Sequence, residues 1–447
     1  MKLRNTERTQ RTAATLLNAL IILVLTVYFR FVWNDFYARY VYYFFKGNIL
    51  YVVMYAVLLV IFNKVYGGFN LGFASTSDLI FSQLISLLFA NAIIFFQVIL
   101  VRKHLLPVTR TFEYLLVDII ITVVLNVLFN KVFYSYFPPK PTLMVYEQED
   151  QSIYERILKY QDNSYEIKKT EPFDEFDKRE KDLDQYQCVV GVGLRPEQKE
   201  ILVKTCYERK KSVYLVPDVY DVIVNSGKSV YLIDTPVFKT NNFGPSQLEK
   251  IVKRIWDIFF ALVLLIITSP ILLVTAIAIK AQDGGPVFYK QTRLTQYGRP
   301  FSIIKFRSMK IDAEKDGVAR LASEHDDRIT RVGRFIRACR IDELPQLINI
   351  LNGDMSVVGP RPERPELIEK ILEDVPEFNY RLIVKAGLTG YAQVYGKYNT
   401  KLKDKLLFDM IYIENFSLLL DLRIMFKTFK ILFMKESTEG VSDEKKK

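Results

Sequence analysis

Long apolar segments alternate with short charged segments through the first third of the chain. Four apolar runs occupy residues 12–33, 49–66, 79–101 and 112–137. Each run approaches the roughly 20 residues that an α-helix needs to cross a hydrocarbon layer of about 30 Å. This length favours transmembrane helices over the buried helices of a soluble bundle. The pattern predicts four transmembrane helices within residues 1–137, and the loop charges do not decide their orientation.

The next section, residues 138–245, alternates short strand-like segments with helical ones. Strands are predicted at 142–146, 187–192, 213–216 and 230–233, with a helix at 196–210. This alternation is typical of a parallel α/β, Rossmann-like domain. A dinucleotide site needs a glycine-rich turn after the first strand, but acidic residues at 147–150 stand there instead. We therefore expect a degenerate middle domain without catalytic function.

A fifth apolar run, residues 258–279, contains no charged residue and is interrupted by Ser269 and Pro270. Proline removes a backbone donor and disturbs the helical hydrogen bonds. In lipid the freed carbonyl needs a partner, and the Ser269 hydroxyl can supply one. The segment alone fits a kinked span as well as it fits a re-entrant helix that enters and leaves the membrane on one side.

Composition narrows the chemistry that the chain can perform. The 447 residues include 61 Lys and Arg against 50 Asp and Glu, three cysteines without a close pair, and two histidines. These counts argue against a disulfide framework, a thiolate zinc site and a Ser–His–Asp relay. The basic excess is compatible with nucleic acid, but no nucleic-acid-binding motif is present. Carboxylates, arginines and lysines must carry any reaction.

The densest basic region, residues 290–340, holds 13 Lys and Arg against 6 acidic groups. Arginines recur there every third residue from 328 to 340, and a solvated basic face explains most of them. Asp342 and Glu343 follow directly, and a loop punctuated by glycine and proline at 353–363 carries Arg361. An adjacent acidic pair alone is commonplace. Its position among cations and a rigid loop is what indicates a site.

Together these segments resemble the catalytic domain of the bacterial sugar transferases, which are polyprenyl-phosphate hexose-1-phosphate transferases of the monotopic phosphoglycosyl transferase type. The resemblance covers residues 246–447. It rests on the following segments: 269–270, 285–287, 305–309, 330–333, 342–347, 353–363, 385–390 and 421–422. The four spans and the Rossmann-like domain are similar to the plan of the large family members. One departure is Ala386, where the family usually has proline.

The resemblance implies transfer of a sugar 1-phosphate, most often of glucose or galactose, from a UDP-sugar to undecaprenyl phosphate with release of UMP. It implies that Asp342 is the nucleophile and that Glu343 serves either a metal or a proton. Mg²⁺ is expected on these two carboxylates, because hard cations suit carboxylate and phosphate oxygens. Lys305, Arg307, Arg337 and Arg361 are the candidate phosphate-binding residues.

Topology follows from the same resemblance. UDP-sugars are cytosolic, so the catalytic domain is expected on the cytoplasmic face of the bacterial inner membrane, with a re-entrant helix at about 251–281. The basic amphipathic segment 420–434 fits an interfacial helix or one packed on the core. The expected partners are the two substrates and membrane lipid, with a homodimer left open and no nucleic acid. The alternative is a catalytically lapsed membrane scaffold or regulator of polysaccharide export.

Overall fold

The computed structural model describes residues 7–41, 45–104, 106–147, 165–178, 180–240, 244–311, 326, 328–396 and 401–431. The chain divides into two compact units, with the boundary between Val216 and Pro217. Two of the predicted features lie partly outside the described residues. These are the acidic segment 147–150, of which only Glu147 is described, and the last three residues of the segment 420–434.

The first unit begins with four long apolar helices, as predicted. They are α1 (Glu7–Asp35), α2 (Phe45–Tyr66), α3 (Thr76–Arg102) and α4 (Val108–Tyr136). All four are long and apolar enough to cross a membrane. Stacked aromatic rings join α1 to α2, with ring centroids 3.9 Å apart for Phe29 and Tyr55 and 4.4 Å apart for Trp33 and Tyr51. Many apolar side chains on the outer surface are exposed, as expected for helices that face lipid.

The same unit continues into a four-stranded parallel sheet, which confirms the predicted α/β class of the middle region. Its strands are β1 (Lys140–Tyr146), β2 (Tyr165–Pro172), β3 (Cys188–Val192) and β4 (Ser212–Leu215), in the order β2-β1-β3-β4. Helix α5 (Phe173–Lys178) follows β2, and helix α6 (Pro196–Glu208) connects β3 to β4. Strand β2 lies at the sheet edge and carries many charged residues, so its sequence does not stand out as a strand.

One predicted strand of the parallel domain lies elsewhere. Residues 230–232 fall on β5 (Lys228–Leu232), which pairs antiparallel with β6 (Thr235–Lys239) in a hairpin of the second unit, and Ile233 lies in the turn between them. The prediction that this strand joins the parallel sheet is therefore wrong. A short antiparallel ribbon and a parallel edge strand have similar local sequence patterns, and only the pairing partner distinguishes them.

The second unit packs short helices and strands around a large apolar core and a smaller cluster formed by Ile279, Phe306 and Ile336. In chain order, its remaining elements are α7 (Val219–Asn225), α8 (Gln247–Asp283), β7 (Phe288–Leu294), β8 (Pro300–Phe306), α9 (Arg331–Ala338), α10 (Gln346–Asn352), β9 (Ser356–Val358), α11 (Pro365–Asp374), β10 (Gly387–Thr389), α12 (Tyr391–Tyr395), α13 (Leu402–Glu414) and α14 (Leu418–Ile431). Strands β7 and β8 are antiparallel, and β9 and β10 are parallel. Ile424 of α14 is fully buried in the core, so the described part of segment 420–434 packs on the domain.

Helix α8 is the fifth helix with the length and apolarity of a membrane span. It runs for 37 residues through Ser269 and Pro270. Proline at position 270 leaves the carbonyl of Ile266 without its helical donor. The Ser269 hydroxyl donates to that carbonyl at 2.8 Å, which confirms the expected role of the serine.

Candidate active site

Asp342 and Glu343 lie in a short 3₁₀ turn, Ile341–Glu343, between α9 and α10. The turn begins after Arg340, whose backbone adopts the left-handed conformation with φ of 53°. This conformation is costly for a residue with a side chain, and it separates α9 from the turn that carries the two carboxylates. A 3₁₀ turn advances about 120° per residue, so neighbouring side chains point in different directions. Two adjacent carboxylates can therefore have different surroundings.

Strand β8 brings Lys305 to this turn. Asn349 of α10 accepts a hydrogen bond from the Ile304 amide at 2.9 Å and donates to the Ser302 carbonyl at 2.8 Å. Asn349 is buried, so these bonds are made in a region without competing water. They fix the helix that follows the two carboxylates against the strand that carries Lys305.

Glu343 is the anionic centre of a cluster of three cations. Its Oε1 atom lies 2.9 Å from Lys305 Nζ and 3.1 Å from Arg361 Nη2, and its Oε2 atom lies 3.8 Å from Arg340 Nη1. Burial alone would raise the pKa of the Glu343 carboxyl, but the charges of Lys305, Arg361 and Arg340 hold that pKa well below its usual range. The cations therefore favour the ionised form of Glu343, which in turn holds them in place.

The loop that carries Arg361 is held from two sides. The Arg381 guanidinium donates to the Arg361 carbonyl at 3.0 Å and forms a buried ion pair with Asp409 at 2.8 Å. Gly359, two residues before Arg361, has no room for a side chain, because a Cβ would lie 2.3 Å from the Lys385 carbonyl oxygen. The Arg361 guanidinium thus projects from a backbone that has little freedom to move.

Asp342 has a different environment from Glu343. It is half-buried, and burial raises the pKa of its carboxyl to about 6, with a further contribution from the negative charge of Glu343. Lys305, Arg337 and Arg361 oppose this rise electrostatically. Among the described residues no cation forms a direct ion pair with Asp342. Its oxygens are therefore available to an incoming electrophile. The nearby cations are positioned to stabilise negative charge on that electrophile.

The structure brings together most of the residues predicted from sequence. Lys305 and Arg361 contact Glu343, and Arg337 of α9 lies within electrostatic reach of Asp342. Arg340 was not among the predicted site residues, although its place two residues before Asp342 was a usable signal. Arg381 and Asn349 were also missed, and nothing in their local sequence marks them.

Arg307 has a different partner. Its buried guanidinium forms an ion pair with Asp283 at the end of α8, and a Cβ on Gly285 would lie 2.2 Å from Arg307 Nη1. Arg307 therefore links the end of α8 to the segment that follows β8, two residues beyond Lys305. Its assignment as a phosphate ligand stays a prediction, since no contact of Arg307 with the two carboxylates is found among the described residues.

The donor set is compatible with Mg²⁺ bound jointly by protein and substrate. Among the described residues there is no group of three His, Cys, Asp or Glu side chains that could enclose a metal ion. Within the described part of the chain Asp342 has no ion pair, and Glu343 Oε2 has only the 3.8 Å contact with Arg340. Mg²⁺ is commonly held by one or two carboxylates together with substrate phosphates and water. The two carboxylates fit this mode of binding.

The first turns of α8 are fixed to the core of the second unit by a buried polar network. Lys253 pairs with Asp257 at 3.1 Å and with Asp421 at 2.7 Å. Asp257 also accepts hydrogen bonds from the Ser356 hydroxyl and the Val357 amide, both at 3.0 Å. Removing Lys253 would leave the two buried carboxylates of Asp257 and Asp421 without their counter-charge.

Further contacts involve both ends of the same helix. The Arg254 guanidinium donates to the carbonyls of Ile350 and Leu351 at the end of α10, at 2.5 and 2.8 Å. At the far end, Gln282 accepts from the Val332 amide at 3.2 Å, next to the Asp283–Arg307 pair. The start and the end of α8 therefore contact the same folded unit.

The sequence model described as "Bacterial sugar transferase" matches residues 248–435 of this chain. A UDP-N-acetylgalactosamine-undecaprenyl-phosphate N-acetylgalactosaminephosphotransferase of Aeromonas hydrophila is 44% identical over 191 residues, covering 42% of this chain and 45% of the relative. A UDP-glucose:undecaprenyl-phosphate glucose-1-phosphate transferase of Escherichia coli K12 is 37% identical over 247 residues, covering 54% and 52%.

A shorter relative is more completely matched. A putative undecaprenyl-phosphate N-acetylgalactosaminyl 1-phosphate transferase of Bacillus subtilis is 53% identical over 131 residues, which are 29% of this chain and 73% of the relative. The chain spans about half the length of the larger curated relatives that it matches. The matched family region contains the two carboxylates and their cations.

Proposed function

Because the chain belongs to the bacterial sugar transferase family, we propose that it transfers a sugar 1-phosphate from a UDP-sugar to undecaprenyl phosphate and releases UMP. The observation that carries the proposal is the unequal acidic pair. Glu343 is ionised and surrounded by cations, while Asp342 beside it has no direct ion pair among the described residues. This arrangement suits a nucleophile next to a preformed site for phosphoryl charge.

The proposed reaction has two displacements at phosphorus. In the first, an Asp342 oxygen attacks the β-phosphorus of the UDP-sugar. The bond from that phosphorus to the bridging oxygen breaks, UMP leaves with the bridging oxygen, and an acyl phosphate that joins the Asp342 carboxyl to the sugar phosphate remains. In the second, an oxygen of undecaprenyl phosphate attacks the same phosphorus and regenerates the Asp342 carboxylate. One phosphoanhydride is broken and another is formed, so no additional energy source is needed.

The cations of the site have a defined part in both displacements. Negative charge accumulates on the non-bridging phosphoryl oxygens, and fixed cations stabilise it without having to reorganise. Lys305 and Arg361 are held in place by Glu343, and Arg337 approaches Asp342 from α9. When bound by Asp342 and Glu343, Mg²⁺ would add Lewis-acid neutralisation of the pyrophosphate. Because its pKa is lowered, Glu343 is better suited to hold the neighbouring cations in place than to transfer a proton.

The donor sugar is proposed only as a class. Relatives are described by glucose, galactose and N-acetylgalactosamine, and glucose or galactose is our first expectation. A panel of UDP-sugars tested with undecaprenyl phosphate would identify the donor through UMP release.

We further propose that α8 is re-entrant and that the catalytic domain lies on the cytoplasmic face. A straight helix would separate Arg254 from Asp283 by about 43 Å, at 1.5 Å per residue. A helix crossing the bilayer would place these residues on opposite sides. The support is that both contact the same unit, while Ile266, Ile267 and Ile271 on either side of Pro270 are exposed. A homodimer stays a prediction.

Sidedness can be tested with single cysteines at Lys250 and Ala281, two exposed or half-buried helix positions, in a variant that lacks the native cysteines. Both should react only with a reagent supplied from the cytoplasmic side. Labelling of position 281 from the outside would contradict the re-entrant helix. Combining Ser269→Ala with Pro270→Ala should favour the spanning form and change the labelling at 281 but not at 250.

The covalent mechanism has its own experiment. With a radiolabelled UDP-sugar and no undecaprenyl phosphate, label should attach to the wild-type protein, and it should not attach to Asp342→Asn. Asp354→Asn is the matched control, because Asp354 pairs with Arg299 elsewhere in the same domain and should leave the labelling intact. Turnover that requires both substrates bound together, without labelled protein, would contradict the two-step reaction.

A further inference from the structure

The buried face of α4 is polar, although the helix lies in the apolar bundle. The side chains that point inward at four-residue intervals are Asp118, Thr122, Asn126 and Asn130, and their exposed fractions are 3, 0, 0 and 2%. We call these four residues the polar row. It extends over about 18 Å of the helix, at 1.5 Å per residue. Polar side chains placed at membrane depth are costly and commonly mark a functional path or site.

The nitrogen atoms of the polar row are satisfied within the protein. Asn126 Nδ2 donates to Gln83 Oε1 and to the Thr122 carbonyl, both at 2.7 Å. Asn130 Nδ2 donates to the Thr76 hydroxyl at 2.5 Å. The hydrogen-bond donors of the two amides are therefore used by α3 and by α4 itself.

One side-chain oxygen of each residue in the polar row lacks a hydrogen-bond partner among the described residues. Four buried atoms have no hydrogen-bond partner in the described part of the chain, namely Asp118 Oδ1, Thr122 Oγ1, Asn126 Oδ1 and Asn130 Oδ1. Leaving a buried polar atom unpaired costs about 1–3 kcal/mol. All four atoms can donate an electron pair, so a species that brings positive charge or hydrogen atoms would satisfy them.

The surroundings of Asp118 determine which charge a species bound to these oxygens would carry. Its Oδ2 atom accepts from Asn91 Nδ2 at 3.2 Å and lies 3.4 Å from the Tyr55 hydroxyl. The other ionisable groups that face it are the phenols of Tyr28 and Tyr37, which are neutral at physiological pH. No lysine or arginine of the described residues pairs with Asp118. One monovalent cation would make the site neutral, whereas a divalent ion would leave an uncompensated charge in hydrocarbon.

We propose that the four-helix bundle contains a monovalent-cation site centred on Asp118, with bound water linking the remaining oxygens of the polar row. The occupant is a proton or an alkali-metal ion, and both are recognised by the same carboxylate and hydroxyl oxygens. Bound water fits the row between Asp118 and Asn130, because each buried water typically uses two to four polar partners. This site lies in the first unit and does not depend on the transferase reaction.

Dicyclohexylcarbodiimide, which modifies protonated carboxyls in apolar surroundings, tests the proposal on the full-length protein in lipid nanodiscs. Modification of Asp118, located by peptide mass spectrometry, should slow as pH rises, about tenfold per pH unit above its titration range. If the occupant is an alkali-metal ion, NaCl should also slow it at fixed pH, while choline chloride should not. Asp35→Asn, in an exposed carboxyl of the same bundle, should behave as wild type.

A second variant separates a binding site from simple burial. Thr122→Val removes one unpaired oxygen without a change in shape. If the occupant is Na⁺, this variant should weaken the protection by Na⁺. If the occupant is a proton, it should change the pH at which modification slows. Asp118→Asn should remove the Na⁺ dependence of the melting temperature and the part of its pH dependence that comes from this site. The proposal would be overturned if the rate of modification depended on neither pH nor Na⁺. It would also be overturned if Asp118 were not modified and the wild type and Asp118→Asn melted alike.

Discussion

Replacing Asp342 with Asn should abolish turnover and raise the free energy of unfolding, whereas replacing Glu343 with Gln should lower both. The two residues are adjacent, yet their carboxyl groups differ in what surrounds them. Burial raises the pKa of Asp342 to about 6, so the fold disfavours its charged form. The cations around Glu343 hold its pKa well below the usual range, so the fold favours its charged form.

The expected changes in the free energy of unfolding follow from these shifts in pKa. One pKa unit corresponds to about 1.4 kcal/mol, so neutralising Asp342 should stabilise the protein by on the order of 2–3 kcal/mol at neutral pH. Glu343→Gln leaves Lys305, Arg340 and Arg361 facing a neutral amide. Removing one partner of a buried pair costs about 3–5 kcal/mol, and the amide oxygen, which can still accept hydrogen bonds, recovers part of this.

The pH dependence has opposite signs for the two carboxyls. A raised native pKa means that Asp342 takes up its proton earlier in the folded state, so its destabilising effect is present above pH 6 and disappears toward pH 4. The advantage of Asp342→Asn should shrink over the same range. The stabilising effect of Glu343 is fully present above the ordinary glutamate pKa and is lost on acidification below it.

The assay is denaturant unfolding of the second unit in the full-length protein in detergent, followed by tryptophan fluorescence at several pH values, beside UMP release. Trp256 of α8 lies in this unit, and Trp33, the other tryptophan, is replaced by Phe in every variant. Asp354→Asn reports the effect of removing an exposed ion pair. Asp342→Asn that unfolds more easily than wild type at pH 7.5, or that retains substantial turnover, would refute the reasoning.

Three other outcomes follow from the same geometry. Arg361→Lys should reduce kcat of UMP release by about 10²-fold or more, because one fixed donor to the phosphoryl oxygens is lost, and a KM effect alone would contradict this. Gly285→Ala should lower the melting temperature and the activity together, by an overpacking cost of about 1–3 kcal/mol, because the new Cβ meets the buried Arg307. The kcat/KM of the wild type should fall as pH drops below about 6, since protonated Asp342 is not a nucleophile, and a flat profile to pH 5 would argue against that role.

The elements that were predicted correctly are those whose signal is local. A membrane helix is marked by its own length and apolarity, so the four N-terminal helices and α8 could be recognised segment by segment. Strand pairing is not local. Residues 228–232 form a hairpin with 235–239, while the charged segment Tyr165–Pro172 joins the parallel sheet at its edge. The sequence pattern of each is compatible with either partner.

The distinction between local and non-local signals also applies to the basic residues near the site. Lys305 and Arg361 are separated by 56 positions, yet both contact Glu343. Arg361 was recognisable from its loop of glycine and proline, and Lys305 from the segment 305–309 that resembles the family. Arg307 stands two residues from Lys305 and has the same appearance in sequence. Alternation along an extended strand sends every second residue to the same face, so the spacing of the two residues does not distinguish their roles. The deciding partner, Asp283, lies 24 positions earlier at the end of α8.

The acidic pair shows why residue identity alone could not assign roles. In sequence Asp342 and Glu343 are equivalent carboxylates, and either could hold a metal, a proton or a phosphorus atom. The left-handed Arg340 and the 3₁₀ turn direct Glu343 toward the three cations and leave Asp342 without a direct ion pair among the described residues. Cations gathered by an ionised glutamate stay in place before substrate arrives, so they need not be recruited during the reaction. The glutamate therefore supports the neighbouring aspartate by what it holds beside it, and its loss should disable the site even if Asp342 is intact.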